Sequence, residues 1–286
     1  MSPPTTTPAA GISAADFSWV RDFVRRESAI RIDEGKEYLV VSRLGPVAAA
    51  HGISDLGQLV ERVKAQPRGR LSVDVVDALT INETSFFRDV HPFQSLVTDV
   101  LPELMRANAT TRRMRIWCAA ASSGQEPYSV AMAIHEHLPA LLGWDLQILA
   151  TDISRAVLAR AAHGEFSHLD VNRGLPASML VKHFQRQGAR WRISDDIRRM
   201  VRFEHTNLIG PWAAPRGTDV VLLRNVLIYF DDATRNDILH RMRQTLVPGG
   251  YLGLGGTETT VGAPTDYDRV TFGRSVWFRT VQEPPL

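Results

Sequence analysis

Apolar residues recur at helical spacing through the first eighty positions, then give way to short unbroken runs after Met114. Phe17, Val20, Phe23 and Val24 mark one face of a helix. Ser13 is placed to cap it, with Asp16 as the acid of a capping box. Similar patterns over 37–51, 55–64 and 71–79 are separated by Gly52 and by Pro67-Arg68-Gly69. They predict an all-helical module at 13–80. Residues 1–12, rich in Pro, Thr and Ala, are expected to form a disordered tail. A connector and linker helix fill 81–113, where His91-Pro92 opens a helix through Phe93, Leu96, Val97 and Val100 to Leu104.

From 114 to 286 strands and helices alternate. Strands are predicted at 115–120, 145–150, 200–205, 219–223 and 251–255, with helices at 128–138, 155–162 and 232–246. The run Val220, Val221, Leu222, Leu223 suits a central parallel strand covered by helices on both faces. Pro248-Gly249-Gly250 reads as a turn. The segment 269–280, with Gly273 between its halves, reads as a terminal strand pair. The class is therefore α/β: a Rossmann-like sheet of seven strands, the last antiparallel. A segment at 164–204 breaks this rhythm and reads as an inserted β-subdomain, with strands at 190–193 and 200–203 around a polar turn at Ser194-Asp195-Asp196.

Composition narrows the class further. The 286 residues are 44% hydrophobic and 22% charged, as in a soluble globular protein. A net charge of +2 implies no general attraction to nucleic acid or membrane. One cysteine, Cys118, excludes an internal disulfide and fits the cytosol. No secretory leader is visible, and no apolar run reaches the roughly 20 residues of a membrane span. Charge is uneven, however. Between 182 and 202 stand Lys182, Arg186, Arg190, Arg192, Arg198, Arg199 and Arg202 against Asp195 and Asp196, a local +5. That run is either a solvated face or a surface for an acidic partner.

Candidate chemistry gathers at predicted strand ends, where open α/β sheets bind ligands. The turn Ala121-Ser122-Ser123-Gly124-Gln125-Glu126-Pro127 follows the first strand, and small residues let a ligand approach the backbone. Asp152 ends the second strand, where an acid either binds ribose hydroxyls or caps the next helix. Asn207 and Leu208 follow another strand. Arg224 and Asn225 end the 219–223 strand, as a binding-site floor or a solvated cap.

Taken in order, INETSFFRD (81–89), AAASSGQEPYS (119–129), ATDIS (150–154), Thr206-Asn207-Leu208 and LLRNVLIYFDD (222–232) resemble the CheR family of chemotaxis receptor methyltransferases. The resemblance covers nearly the whole chain from Ile12. It implies a SAM-dependent methyltransferase sheet, with S-adenosylmethionine (SAM) as cofactor, S-adenosylhomocysteine as product and no metal. The implied substrate is the side-chain carboxylate of glutamates on the cytoplasmic helical bundle of chemoreceptors. By the same resemblance, Asn82, Thr84, Arg88, Glu126, Asp152, Asn207, Leu208, Leu223 and Arg224 contact the cofactor. Arg88 and Tyr229 are assigned to orient the substrate carboxylate, by a planar fork and a phenol hydroxyl. Some family members carry a glycine-rich loop that grips a receptor tether. Here the segment 184–190 is short with one glycine, so a tether-independent enzyme is expected; without an obvious coiled coil a monomer is the default, and the expected location is the cytoplasm. The alternatives are a receptor-docking SAM binder without turnover, or the same chemistry in a biofilm or surface-sensing pathway. A nucleic-acid methyltransferase is disfavoured by Arg224-Asn225-Val226 where an Asn or acid followed by Pro-Pro-aromatic is common. A nicotinamide dehydrogenase is disfavoured by the missing G-x-G-x-x-G.

Overall fold

The computed structural model describes residues 11–212, 215–258 and 267–281, so the first ten residues of the expected tail lie outside it. The chain divides into two compact units, Met1–Ile81 and Asn82–Leu286.

The first unit holds helices α1 (Ala14–Ser28), α2 (Glu37–Ala50), α3 (Leu56–Ala65) and α4 (Arg70–Leu79). Ser13 caps α1 as expected, its Oγ accepting the Asp16 N–H. Phe17, Val20, Phe23 and Val24 are buried, as their spacing requires. Arg43 Nη1 donates to the Thr80 carbonyl at 2.7 Å and so ties α2 to the end of α4.

The second unit opens with α5 (His91–Ser95), a π turn at Leu96–Val100 and α6 (Leu101–Ala107), which form one continuous helix. Then follow β1 (Arg113–Ala119), α7 (Gln125–His137), β2 (Asp145–Asp152), α8 (Arg155–His163), β3 (Glu165–Ser167), α9 (His168–Val171), α10 (Ala177–His183), β4 (Phe184–Gln187), β5 (Arg190–Ile193), α11 (Asp195–Arg198) and β6 (Val201–His205). The chain closes through β7 (Thr218–Leu223), α12 (Asp232–Thr245), β8 (Leu246–Leu254), β9 (Tyr267–Phe272) and β10 (Ser275–Thr280).

The main sheet has strand order β6-β2-β1-β7-β8-β10-β9. Strands β6, β2, β1, β7 and β8 are parallel, while β10 pairs antiparallel with both β8 and β9. The period-two alternation of a strand sends successive side chains to opposite layers. On β7, Val220 and Leu222 join the core with α7 and the linker helix, and Val221 and Leu223 join the core with α12. On β1, Met114, Ile116 and Cys118 face the first core and Trp117 and Ala119 the second. Cys118 is wholly buried there, as small apolar core.

Three details differ from the sequence reading. The insertion drawn to 204 overreaches, because Val201–His205 pairs with Ile148–Asp152 in the main sheet. The separate three-stranded sheet is β3-β5-β4. Between β5 and β6 the expected polar turn is the helical turn α11, because Asp195 and Asp196 favour a helix start. Finally, Pro248-Gly249-Gly250 lies within β8, where the pairing with β7 slips between Thr218 and Val220.

Candidate active site

Strand register brings the sequence-predicted residues to one edge. Ala119 pairs with Thr151 and with Leu223, Leu223 pairs with Leu254, and Asp152 pairs with His205. The carboxyl ends of β6, β2, β1, β7 and β8 therefore align, and the loops after them share one rim.

Strain concentrates on that rim. Among the described residues, eight non-glycine residues have positive φ, and six belong to this region: Phe87, Asp89, Val90, Ala120, Ser122 and Asn225. Each such conformation costs about 1–3 kcal/mol and persists only where surrounding contacts enforce it. The enforcing contacts are visible. Asp152 Oδ2 accepts the Ser122 N–H at 2.8 Å and its Oδ1 accepts the Ser154 N–H at 2.9 Å. Ser154, not Asp152, caps α8. Asp152 is buried. Ser122 Oγ donates to the Asn82 carbonyl at 2.9 Å, which seats the connector on the small-residue turn. Gly124 opens α7 at φ +92, where a Cβ would lie 2.9 Å from that of Ala161. Glycine is required there by both conformation and space.

Arg224 is the hub beneath the rim. Its side chain is 1% exposed. Nη1 donates to Glu126 Oε2 at 2.8 Å, and Nη2 donates to Asp89 Oδ2 at 2.7 Å and to the Arg88 carbonyl at 2.9 Å. The guanidinium also lies 5.4 Å from the Phe93 ring centre. The fork thus joins the end of β7 to α7 and to the connector. Burial pushes the Glu126 carboxyl above its ordinary range, and the Arg224 charge opposes that shift.

Leu223 is buried at the last position of β7. After β6, Asn207 Oδ1 accepts the Ile209 N–H, and the Leu208 carbonyl accepts from Trp212 Nε1 and Arg241 Nη1. Asn82, Thr84 and Arg88 are all half-buried on the connector, where Arg88 Nη1 donates to the Glu83 carbonyl at 3.2 Å. Tyr229 ends a 3-10 turn after β7 and is half-buried. Burial raises its phenol pKa above the ordinary 10.0, the positive charge of Arg88 pulls it down, and Glu83 and Glu258 push it up.

Sequence reasoning missed Glu258. Its carboxylate accepts three backbone N–H groups, from Asn225 at 2.7 Å, Leu227 at 2.8 Å and Gly255 at 2.7 Å. It staples the β7 and β8 loops together. No side-chain pattern announces it, because its partners are main-chain groups. Asp89 and Asn225 stood inside quoted motifs, yet their roles depend on contacts that only the fold creates.

Comparison with known proteins now adds to this geometry. Residues 82–275 match the CheR methyltransferase SAM-binding domain, and residues 15–80 match the CheR all-alpha domain. The chain belongs to the CheR methyltransferase family. It is 45% identical over 259 residues to the chemotaxis protein methyltransferase Cher2 of Pseudomonas putida, covering 89% of this chain and 94% of the relative. It is 44% identical to chemotaxis protein methyltransferase 1 of Pseudomonas aeruginosa, covering 93% and 97%. A Vibrio parahaemolyticus chemotaxis protein methyltransferase is 37% identical over 91% of this chain and 94% of its own length. As a CheR-family member, the chain is a SAM-dependent methyltransferase.

Proposed function

We propose that this enzyme methylates side-chain carboxylates of glutamates on the cytoplasmic helical bundle of chemoreceptors. The products are glutamate methyl esters and S-adenosylhomocysteine. The observation that carries the reading is the alignment of five strand ends into one rim that holds two buried acids, Glu126 and Asp152.

The donor set suits SAM. Asp152 stands where an acid meets ribose hydroxyls. Glu126 supplies negative charge suited to a ligand carrying ammonium and sulfonium groups. Asn207, Leu208 and Leu223, at strand ends, would hold the adenine and methionine portions, and Asn82 and Thr84 would close from the connector. Arg224 contributes through its backbone and by fixing Glu126, since its two terminal nitrogens are committed internally. When bound, the cofactor supplies an already activated methyl group. A substrate carboxylate is ionised at pH 7, so no general base is needed. The residues need only desolvate it and hold it in line. Arg88 orients it through planar hydrogen bonds, and the Tyr229 hydroxyl donates one more.

The inserted sheet bears on how the receptor is engaged. β4 and β5 pair through Gln187 and Arg190, which leaves Gly188-Ala189 as a two-residue connection. So tight a hairpin supports binding of the helical bundle without a tether. The basic run is also milder than it reads. Lys182, Arg190, Arg192, Arg198, Arg199 and Arg202 each meet a carboxylate, from Glu136, Glu165, Asp195, Asp196 or Glu204. No described helix is long and apolar enough to cross a membrane, in keeping with action at the cytoplasmic end of receptors. Incubation of the purified chain with tritiated SAM and receptor tests the assignment. Base treatment should release labelled methanol; binding of SAM without transfer would leave a docking regulator.

A further inference from the structure

Beyond the methyl-transfer site, one cluster combines metal-ligating side chains with an unsatisfied buried atom. His135 and Glu136 occupy the last turn of α7, and His183 is the last residue of α10. One ligand atom from each of the three lies within 4.8 Å of the others. His183 Nε2 is 2.7 Å from Glu136 Oε1, and His135 Nδ1 is 3.5 Å from the same oxygen. The two imidazole rings meet edge to face at 5.3 Å. His135 Nδ1 is buried and has no hydrogen-bond partner.

We propose that His135, Glu136 and His183 form a binding site for one divalent transition metal of the zinc type. Two imidazoles and one carboxylate are a suitable ligand set for that ion, with a fourth position left for water. Ligand atoms on a tetrahedral zinc stand about 3.4 Å apart, given bonds of about 2.0–2.2 Å. The His135 Nδ1 to Glu136 Oε1 separation already matches this. The His183 to Glu136 hydrogen bond must open by under about 1 Å as the ion enters. Lys182 binds the other oxygen, Oε2, at 2.7 Å, so Oε1 stays turned toward both rings. The site also sits at the carboxyl ends of α7 and α10, where helix dipoles favour a cation.

The ligands come from two different parts of the unit. His135 and Glu136 belong to the helix that follows the small-residue turn, whereas α10 runs directly into β4 of the inserted sheet. A bound ion would bolt the insertion to the main sheet's helical layer. The site differs from the methyl-transfer rim and does not depend on it.

Tag-free full-length chain, stripped with chelator, is titrated with zinc against a chromogenic competitor at pH 7.5. One zinc per chain is expected, and thermal stability should rise with zinc. At 100 times the dissociation constant, the ion favours the folded state by about 100-fold. His135→Ala removes a partly exposed ring and should weaken binding at least about 10-fold while leaving the metal-free melting temperature in place. Glu136→Gln serves as the second variant, and cobalt in place of zinc should show four-coordinate visible bands that both variants lose. Absence of a saturable site, or unchanged zinc affinity in His135→Ala and Glu136→Gln, overturns the proposal.

Discussion

Gly174 lies against the carbonyl oxygen of Phe86. A Cβ built on Gly174 would stand 2.1 Å from that oxygen, and its φ of +83° is one that other residues adopt only under strain. The pair joins the segment between α9 and α10 to the connector that carries Arg88. Next to it, Arg173 Nη2 donates to Glu83 Oε1 at 2.6 Å, and the Phe86 ring packs edge-on against Phe166 at 4.9 Å and Phe184 at 5.6 Å. Gly174→Ala should therefore destabilise the fold by about 3 kcal/mol or more. It should also weaken SAM binding, because the connector must shift. Chemical denaturation and cofactor calorimetry check the two effects. Wild-type values in both would mean that the close approach relaxes freely.

The Arg224 hub predicts a non-additive pair. Arg224→Met leaves Glu126 buried without its cation and should lower stability by about 3–5 kcal/mol. Adding Glu126→Gln removes the stranded charge and should restore part of that loss. Urea unfolding of the two single variants and the double variant measures the coupling. Strict additivity would show that the 2.8 Å contact contributes little. Asp89 is 49% exposed, so Asp89→Asn should cost less than about 1 kcal/mol.

On the proposed role of Tyr229, Tyr229→Phe would remove one hydrogen bond to the substrate without changing the ring's packing. Turnover should fall several-fold with SAM affinity nearly unchanged; a selective loss of SAM affinity would move Tyr229 to the cofactor side. Burial keeps the phenol protonated to above pH 10. Raising the pH from 7 to 9.5 should thus leave the hydroxyl donor intact and produce no loss of turnover attributable to Tyr229. An alkaline limb below pH 10 that vanishes in Tyr229→Phe contradicts this placement.

The two-residue connection between β4 and β5 predicts no grip on a receptor C-terminal pentapeptide. Calorimetric titration with that peptide should give no binding at roughly micromolar concentrations, while methylation of a receptor lacking its tail proceeds at the full-length rate. Micromolar heat, or a dependence of rate on the tail, would show that the hairpin does recruit it.

Much of the core was legible because burial leaves a periodic mark. The four apolar residues from Val220 to Leu223 announced a strand covered on both faces, and the alternation along β7 sends them there. The membership of β6 was hidden. Its alternating Val201 and Phe203 suit an edge hairpin equally well, and only pairing with β2 decides. At the site, residue types and strand ends pointed to Asp152 and Glu126, but the partner of Arg224 lies 98 residues away and that of Glu258 is main chain. Charge counting over 182–202 also could not see the pairing of the basic run, since Glu136 and Glu165 approach it only through the fold.

The π turn at Leu96–Val100 sets the phase of the linker helix. One residue more per turn rotates everything before it by about 100° relative to a regular helix. Phe93, under the Arg224 guanidinium, and Ser95, whose Oγ accepts from Trp277 Nε1 at 2.9 Å, both lie on the rotated side. Deleting a single residue from the turn would yield a more regular helix whose aromatic platform points away from the hub. The irregular turn is thus the device that lets the first half of the linker helix meet the floor of the rim and β10 while the second half keeps Leu101 and Leu104 in the core.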